Sequence, residues 1–407
     1  MQVVQWLSKP LSILCCGLCP DYSDTYVLVN ARKYAVIRLL RDDGLKFLYL
    51  VRMEDGAPFR AGSAVGSGDE ACDGLYTLKQ IRCPIGNIDS VADSMREIDN
   101  YRRFQSPYVV SSVDSQVVQE LDGSKTVYVV FPYYPLGSLQ DSIDDRLLDG
   151  TYVSESECVR IMCGIARGLL CLHDSSSVRR NKNTGDNDID SEVNINSSGN
   201  YRDSGNSIVI GDSFTDRDTN SMTFSDEAAA LLQNDNHILE MDSISSNISV
   251  SPVSYSHRNL TPSNIIFSAN GLPIIGELGS CAKADVSIET RKHLNQYKEW
   301  VEDNFNTYMA PEFLSLKIGS KLDSKVDVWS LGCICYTLLF SINPFDREEQ
   351  LYGASIRYAI STGKYTLPEQ SRYSQNLINI IQSCLQVEPS DRPSVSIILN
   401  NLQELQS

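Results

Sequence analysis

The sequence H-R-N-L-T-P-S-N-I-I-F-S-A-N-G-L-P-I-I-G-E-L-G, residues 257–279, holds four landmarks at fixed offsets. It opens on a His-Arg pair and reaches Asn264 through a loop. Two short apolar segments, Ile265–Phe267 and Pro273–Ile275, predict a pair of strands. A carboxylate-Leu-Gly turn that begins at Glu277 ends the stretch. The stretch therefore places a polar loop and an acidic turn on either side of a predicted hairpin.

The composition of the whole chain limits which kind of protein it can be. With 407 residues, the chain is long enough for two or three average domains or one bilobal unit. Hydrophobic residues make up 42% of the chain, and its formal net charge is −17. The acidic balance argues against a general basic surface, and we expect no nucleic-acid partner. The 12 cysteines show no paired zinc spacing, which favours a reducing, cytosol-facing compartment. No apolar run reaches the roughly 18 residues that a membrane helix needs.

Residues 1–27 carry a cysteine cluster, C-C-G-L-C, formed by Cys15, Cys16 and Cys19. One interpretation is a tail with ordinary cysteines. The other is S-acylation of these cysteines, with neighbouring apolar residues making the first contact with lipid. Two adjacent acyl chains would meet the two-signal requirement for stable anchoring, so we expect a membrane-anchor segment here.

Periodicity and β-propensity predict most of the secondary structure. The predicted strands are Tyr34–Leu40, Phe47–Val51, Leu75–Ile81 and 127–134. The predicted helices are 88–104, 155–173, 326–340, 350–361, 374–386 and 394–405.

Residues 175–256 break this pattern, because they are rich in Ser, Asn and Asp and poor in aromatic residues. Such a segment cannot bury enough apolar area to offset its ordering entropy. The sequence therefore predicts a long, disordered, acidic insertion.

Further motifs follow one another in a fixed order along the chain. They are Y-T-L-K ending at Lys79, a helical Glu97, V-V-F-P-Y-Y-P-L-G-S-L at 129–139, T-Y-M-A-P-E at 307–312, D-V-W-S-L-G at 327–332 and D-R-P at 391–393. Together with residues 257–279 they resemble the motifs of protein kinases. The E-L-G turn and the F-P-Y-Y and A-R-G-L-x-x-L-H segments are similar to the Numb-associated-type Ser/Thr kinases. The cysteine cluster resembles that of their lipid-anchored members on Golgi and, in yeasts, vacuolar membranes.

The resemblance implies an α+β, bilobal protein kinase fold. A small β-rich N-lobe would span 28–134, and a mainly helical C-lobe would span 135–407, interrupted by the insertion at 175–256. The implied nucleotide-binding positions are Arg41, Asp43, Gly44, Lys46, Lys79, Phe131, Pro132 and Tyr134. The implied metal ligands are Asn264 and Glu277. The implied structural positions are His257, Arg258, Glu312, Asp327 and Arg392.

The resemblance assigns Lys79 to the nucleotide phosphates and Glu97 to that lysine. The plainer alternative for this pair is an exposed lysine and a solvated helix glutamate. Asn264 would be a metal ligand, or else a loop asparagine that caps a turn.

The chain departs from the kinase pattern at positions that carry chemistry. Asn259 stands in place of the catalytic aspartate, and an amide has almost no basicity. Thr261 replaces a lysine that usually reaches the γ-phosphate. Glu277 replaces an aspartate and carries its carboxylate one methylene further out, which should weaken Mg²⁺ binding. Residues 40–51 stand where a glycine-rich loop would be, and only Gly44 permits a tight turn.

The expected function follows from this contrast between retained scaffold and altered chemistry. We expect a membrane-tethered kinase-fold protein with impaired transfer and a regulatory or scaffolding role, on the cytoplasmic face of an endomembrane such as the vacuole or Golgi. The alternative is an active Ser/Thr protein kinase. A small-molecule phosphotransferase is disfavoured, because the A-P-E and D-V-W-S-L-G motifs belong to protein kinases. The cofactors would be ATP and Mg²⁺ if nucleotide binding survives, and the partner would be a protein.

Overall fold

An antiparallel sheet of six strands, in the order β1-β2-β3-β4-β6-β5, forms the N-terminal lobe. The computed structural model describes residues 25–54, 74–174, 253–368 and 371–406. The strands of this sheet are β1 (Tyr26–Val29), β2 (Arg32–Asp42), β3 (Lys46–Met53), β4 (Leu75–Cys83), β5 (Asp114–Gln119) and β6 (Lys125–Pro132).

The alternation of side chains along β4 decides which residues face the rest of the molecule. Tyr76 and Leu78 belong to an apolar cluster on one face of the sheet. Ile81 and Cys83 pack on the other face, in the large core shared with the helices. Lys79 has the same parity as Ile81, so its side chain points toward the cleft between the lobes.

The C-terminal lobe is helical. The helices of the described residues are α1 (Ile88–Arg103), α2 (Leu139–Leu148), α3 (Glu155–His173), α4 (Arg291–Asn304), α5 (Pro311–Leu314), α6 (Lys325–Phe340), α7 (Pro344–Tyr352), α8 (Ile356–Thr362), α9 (Gln375–Cys384) and α10 (Val395–Glu404). Only α1 lies in the N-terminal lobe. Every residue of α6 from Val326 to Leu339 is buried, which matches its nearly continuous apolar sequence.

The described residues of the C-terminal part also form three short antiparallel pairs. The pair β8 (Ile265–Phe267) and β9 (Pro273–Ile275) forms the hairpin that the sequence predicts. The other pairs are β7 (Tyr255–Ser256) with β10 (Ala282–Lys283), and β11 (Val286–Ser287) with β12 (Lys321–Leu322). The structure confirms the predicted α+β arrangement, with a β-rich N-terminal part and a helical C-terminal part.

Four details differ from the sequence-based expectation. Tyr255 and Ser256, assigned to the insertion, form β7 because Tyr255 is buried against Phe104, with ring centroids 5.3 Å apart. The first strand begins at Tyr26, inside the expected anchor segment. The single helix predicted at 350–361 is two helices, since Gly353 ends α7 at φ +64°. Helices α2, α4 and α5 were not predicted.

Some predictions fall outside the described residues. These are the acylation of Cys15, Cys16 and Cys19, and the disorder of 175–252. Within the described ranges, no single helix is long and apolar enough to span a bilayer, whereas α6 and α7, joined at a 62° bend, pass on length and composition alone.

Candidate active site

The buried carboxylate of Asp327 binds the backbone of the loop at 257–264. The backbone N–H groups of His257 and Arg258 donate to the two oxygens of Asp327 on α6, each at 2.8 Å. His257 Nε2 donates to the Gly276 carbonyl oxygen at 2.8 Å. Arg258 lies at φ +65°, a region that non-glycine residues rarely adopt. The loop backbone is therefore fixed from both the helix and the acidic turn.

His173, the last residue of α3, was not singled out from the sequence. Its Nε2 donates to Asp327 Oδ2 at 2.9 Å. Burial would raise the pKa of Asp327, but hydrogen bonding and charge from His173, with the loop N–H groups, lower it. The L-H end of the A-R-G-L-x-x-L-H segment was the available signal for this contact.

Asn259, which the kinase resemblance aligns with the catalytic base, accepts hydrogen bonds through both of its oxygens. Its side-chain Oδ1 accepts from Asn306 Nδ2 at 3.0 Å, and its backbone carbonyl accepts from Asn264 Nδ2 at 2.8 Å. Thr261 lies two residues further on and brings no charge to the loop. Its backbone carbonyl accepts from the Asn264 N–H at 3.0 Å. The polar group that Asn259 keeps for an incoming hydroxyl is its Nδ2 donor.

Lys79 joins two carboxylates from distant parts of the chain. Its Nζ lies 2.5 Å from Glu97 Oε1 on α1 and 2.5 Å from Glu277 Oε1 on the acidic turn. The side chains of Lys79 and Glu97 are 6% and 3% exposed, which rules out the interpretation as a solvated pair. The Glu277 side chain is 34% exposed and faces the cleft.

Lys79 and Glu277 shift each other's pKa values toward the charged forms. Burial would raise the pKa of Glu277, but the Lys79 ammonium, with smaller contributions from Lys46 and Arg41, lowers it to about 2. Burial would lower the pKa of Lys79, but Glu277 and Glu97 raise it above its ordinary value. Lys79 and Glu277 are therefore both ionised near neutral pH.

Two residues of α1 that the sequence did not single out hold the acidic turn. The Tyr101 hydroxyl donates to Glu97 Oε1 at 2.7 Å and accepts from the Leu278 N–H at 3.3 Å. Asn100 Nδ2 donates to the carbonyls of Leu278 and Cys281 at 3.1 and 2.8 Å. Helix α1 thus provides Glu97, the partner of Lys79, and also the two side chains that bind the acidic turn.

The β2–β3 turn covers the place of a glycine-rich loop. Gly44 lies at φ +78°, and its N–H donates to Asp42 Oδ1 at 2.9 Å. Arg41 and Asp43 form an exposed ion pair, with Nε to Oδ2 at 2.8 Å. Arg41 and Lys46 bring positive charge toward Glu277, so this turn presents basic side chains as well as the two aspartates.

The site can now be compared with known proteins. The Protein kinase domain family matches residues 253–402. The chain is 50% identical over 393 residues to serine/threonine-protein kinase ENV7 of Saccharomyces cerevisiae, covering 96% of each chain. The chain belongs to the serine/threonine protein kinase family. It is also 27% identical over 383 residues to ppk13 of Schizosaccharomyces pombe, covering 94% of this chain and 93% of that one. Serine/threonine-protein kinase 16 of Homo sapiens is 22% identical over 383 residues, covering 93% and 92%.

The kinase family implies ATP and Mg²⁺, and the residues present can be tested against them. Asn264 donates through its nitrogen, which keeps its Oδ1 as the side-chain atom for a cation. With the Glu277 carboxylate it offers oxygen ligands of the kind that Mg²⁺ takes, completed in kinases by water and phosphate. Within the described ranges no cluster of three or more His, Cys, Asp or Glu residues forms a separate metal site. The donor set fits, although Glu277 is already bonded to Lys79.

The segment between the lobes holds the remaining positions that the kinase resemblance assigns to the nucleotide. Phe131 is buried beside Tyr101, with ring centroids 4.9 Å apart. Pro132 ends β6 opposite Tyr76 and has no N–H to donate. Tyr134 is partly buried against the large core. An adenine-sized group would therefore meet a short, mostly apolar connection.

The structural ion pair implied by the kinase motifs is present in the C-lobe. Arg392 donates through Nη1 and Nη2 to the two oxygens of Glu312, each at 2.8 Å. The Arg392 side chain is fully buried, so this bidentate pair anchors the A-P-E segment against the end of the lobe.

Proposed function

We propose that this chain is a membrane-tethered member of the Ser/Thr kinase family with strongly reduced phosphotransfer, and that its kinase fold serves a regulatory or scaffolding role. The observation that carries the proposal is Asn259. It stands in an ordered catalytic loop with its side-chain oxygen bonded to Asn306. The scaffold around the missing base is otherwise assembled.

The chemistry of the amide explains the expected loss. Transfer from bound ATP to a protein hydroxyl requires positioning, charge neutralisation and a proton acceptor near the hydroxyl. Asn259 orients a hydroxyl but cannot take its proton, and a positioned general base contributes about 10²–10⁴ in rate. Thr261 adds no positive charge at the γ-phosphate position.

Nucleotide binding has better support than transfer. Lys79 is buried, charged and fixed by Glu97, as a phosphate-binding lysine must be. Arg41 and Lys46 add positive charge at the β2–β3 turn. Glu277, however, must leave Lys79 or share it before it can ligand a metal. We therefore expect ATP binding that gains little from Mg²⁺.

The alternative is an active Ser/Thr protein kinase. One observation favours it: the Lys79–Glu97 pair is formed and the catalytic loop is ordered, so the residues that remain are already in place. In that case Asn259 would act by orientation alone, and the hydroxyl proton would leave to solvent or to phosphate.

An assay with the purified 407-residue chain separates the two. Autophosphorylation and transfer to a general Ser/Thr substrate are measured beside a Lys79→Met variant, which removes the contribution of contaminating kinases. Activity at or below the level of that variant is expected. Lys79-dependent turnover in the range of about 1–100 s⁻¹ that is typical of kinases would overturn the proposal.

Membrane tethering is proposed on the sequence of the N-terminal segment. Cys15, Cys16 and Cys19 would carry thioester-linked acyl chains and hold the protein at the cytoplasmic face of an endomembrane, vacuole or Golgi. The test is fractionation of cells expressing the Cys15→Ser, Cys16→Ser variant beside a Ser8→Ala, Ser12→Ala control. The cysteine variant should become soluble. If it stays on membranes, these two cysteines are not the anchor.

The partner is expected to be a protein, as substrate or as bound regulator. A net charge of −17 gives no support to nucleic-acid binding.

A further inference from the structure

Three exposed aliphatic side chains lie at one end of the N-lobe sheet. Leu45, Ile85 and Leu121 are 50%, 68% and 95% exposed. Each sits in a different connection: the β2–β3 turn, the loop between β4 and α1, and the β5–β6 turn. Single exposed aliphatic residues are common, so the question is whether these three form one surface.

The three connections are neighbours at the same end of the sheet. The Arg82 N–H donates to the Leu45 carbonyl at 2.8 Å, which joins the β2–β3 turn to the end of β4. A Cβ atom at Gly123 would lie 3.9 Å from Ile85 Cδ1, which joins the β5–β6 turn to the loop after β4. We name this surface the rim and define it as residues 43–45, 84–87 and 120–124.

The N-terminal end of β1 points toward the rim. Strand β1 pairs antiparallel with β2, with Tyr26 opposite Ala35, and the Val36 N–H donates to the Thr25 carbonyl at 2.8 Å. From Val29 back to Thr25, the backbone therefore runs along β2 in the direction of Asp42. That direction leads to the rim and away from the connection between the lobes.

Covalent geometry limits how far the cysteine cluster lies from this point. The six residue steps from Thr25 back to Cys19 span at most about 20 Å, and the ten steps back to Cys15 span at most about 35 Å. The strand from Val36 to the rim at Asp43 is about 23 Å long. An acyl chain on the cluster would therefore hold a bilayer within reach of the rim.

We infer that the rim is the membrane-facing surface of this protein, with Leu45, Ile85 and Leu121 entering the interfacial layer of the bilayer. The inference rests on the proposed tethering. Aliphatic side chains on turns gain by leaving water for the boundary between headgroups and acyl chains.

The charges around the rim indicate which lipids it requires. Lys46 and Lys125 begin the strands that leave it, and Arg82 lies over the Phe47 ring at 4.8 Å. Asp43, Glu120 and Asp122 within the rim oppose this positive charge. The surface therefore binds by apolar contact, and zwitterionic phosphatidylcholine is sufficient.

The test uses the acylated full chain bound to phosphatidylcholine vesicles whose acyl chains are brominated. Both reporters carry Trp6→Phe and keep Trp300 and Trp329, so the difference between them comes from the introduced tryptophan. Leu121→Trp reports on the rim. Leu148→Trp, at a position 85% exposed on α2 of the other lobe, is the matched control. Fluorescence of the rim reporter should fall with brominated lipid, and that of the control should not.

Partition measurements give a second readout. The triple variant Leu45→Ser, Ile85→Ser, Leu121→Ser should lower the vesicle partition coefficient about tenfold, because three apolar contacts are lost. A control triple, Leu147→Ser, Leu148→Ser, Leu351→Ser, should leave it unchanged. Equal effects of the two triples would overturn the inference.

The outcomes separate this inference from the tethering itself. Vesicle binding that depends on Cys15 and Cys16, without selective quenching at the rim, supports the tether and overturns the rim. Absence of vesicle binding by the unaltered acylated chain overturns both. A blue-shifted rim reporter without vesicles, unquenched when they are added, would show that protein covers the rim and would also overturn the inference.

Discussion

The Asn259 Oδ1 atom accepts a hydrogen bond from Asn306 Nδ2 at 3.0 Å, across 47 residues of sequence. A carboxylate at residue 259 would keep this bond through one oxygen and present the other to a substrate hydroxyl. The amide has a single side-chain oxygen, which already accepts the bond from Asn306, and an amide has almost no basicity. Residue 259 therefore does not supply the proton acceptor that the kinase motif would place here.

The first prediction restores that base. Asn259→Asp should raise phosphotransfer by about 10²–10⁴, the usual contribution of a positioned general base. The measurement is the initial rate of autophosphorylation with ATP and Mg²⁺. Asn270→Asp, on the exposed β8–β9 turn, adds the same charge away from the site and should change nothing. A gain below a few-fold would show that base loss does not limit the reaction.

The second prediction concerns pH and the Lys79–Glu277 contact. The pKa of Glu277 lies at about 2, below its ordinary 4.5, so its stabilising charge is present above pH 4.5 and is lost as the pH falls toward 2. Glu277→Gln should therefore be less stable than the unaltered protein at pH 7, and the difference should shrink between about pH 5 and pH 3. Urea unfolding at several pH values measures it.

A matched variant tests the pH argument. Glu302 forms an exposed pair with Arg357 at 2.7 Å, and such pairs contribute little. Glu302→Gln should therefore show a small, nearly pH-independent difference in the free energy of unfolding. If Glu277→Gln behaves in the same way, the ionised contact with Lys79 does not stabilise the fold.

The scaffold was predictable where the signal is local. Partial alternation indicated β2, residues of high β-propensity indicated β3 and β4, and long apolar patterns indicated α3 and α6, because these signals follow directly from residue order. Gly353 was a visible helix-ending signal, yet the apolar pattern on both sides of it favoured a single helix. Helix α4 escaped prediction because Val301 is its only fully buried residue, although Thr290 caps its N-terminus through a bond to the His293 N–H at 3.2 Å.

The contacts between residues of the site were harder to predict from the sequence. The order of motifs placed Lys79, Glu97, Asn259 and Glu277 in one site, and in the structure Lys79 contacts both Glu97 and Glu277. The contacts of Tyr101 with Leu278 and of Asn306 with Asn259 span 177 and 47 residues. No local periodicity encodes such pairs, since they depend on how α1 and the A-P-E segment pack around the loop.

The third prediction tests the support beneath the catalytic loop. Asp327→Asn should lower the free energy of unfolding by about 3 kcal/mol. The buried carboxylate accepts several hydrogen bonds, and an asparagine would instead place its NH₂ group against one of the N–H donors. The loop N–H groups and His173 all depend on this carboxylate. Urea unfolding measures the change, with the exposed Asp285→Asn as control. Equal midpoints for the two variants would contradict this account.

The fourth prediction concerns close packing between α3 and the β8–β9 hairpin. A Cβ atom at Gly168 would lie 2.7 Å from both Ile275 Cδ1 and the Tyr108 carbonyl oxygen. That carbonyl accepts from the Ile275 N–H at 2.9 Å, so neither backbone group can move freely. Gly168→Ala should therefore lower the free energy of unfolding by about 1–3 kcal/mol, the usual cost of overpacking.

The matched control for this packing is Gly276→Ala, next to the acidic turn. The nearest atom to its Cβ is the Asn264 carbonyl oxygen at 3.4 Å, an ordinary contact. It should cost less than half as much as Gly168→Ala in urea unfolding. Both substitutions lower the chain entropy of the unfolded state in the same way, so their difference isolates the clash against Ile275 and Tyr108. If the two variants unfold at the same urea concentration, the hairpin moves away from α3 at little cost, and the loop at 257–264 is held less rigidly than its hydrogen bonds indicate.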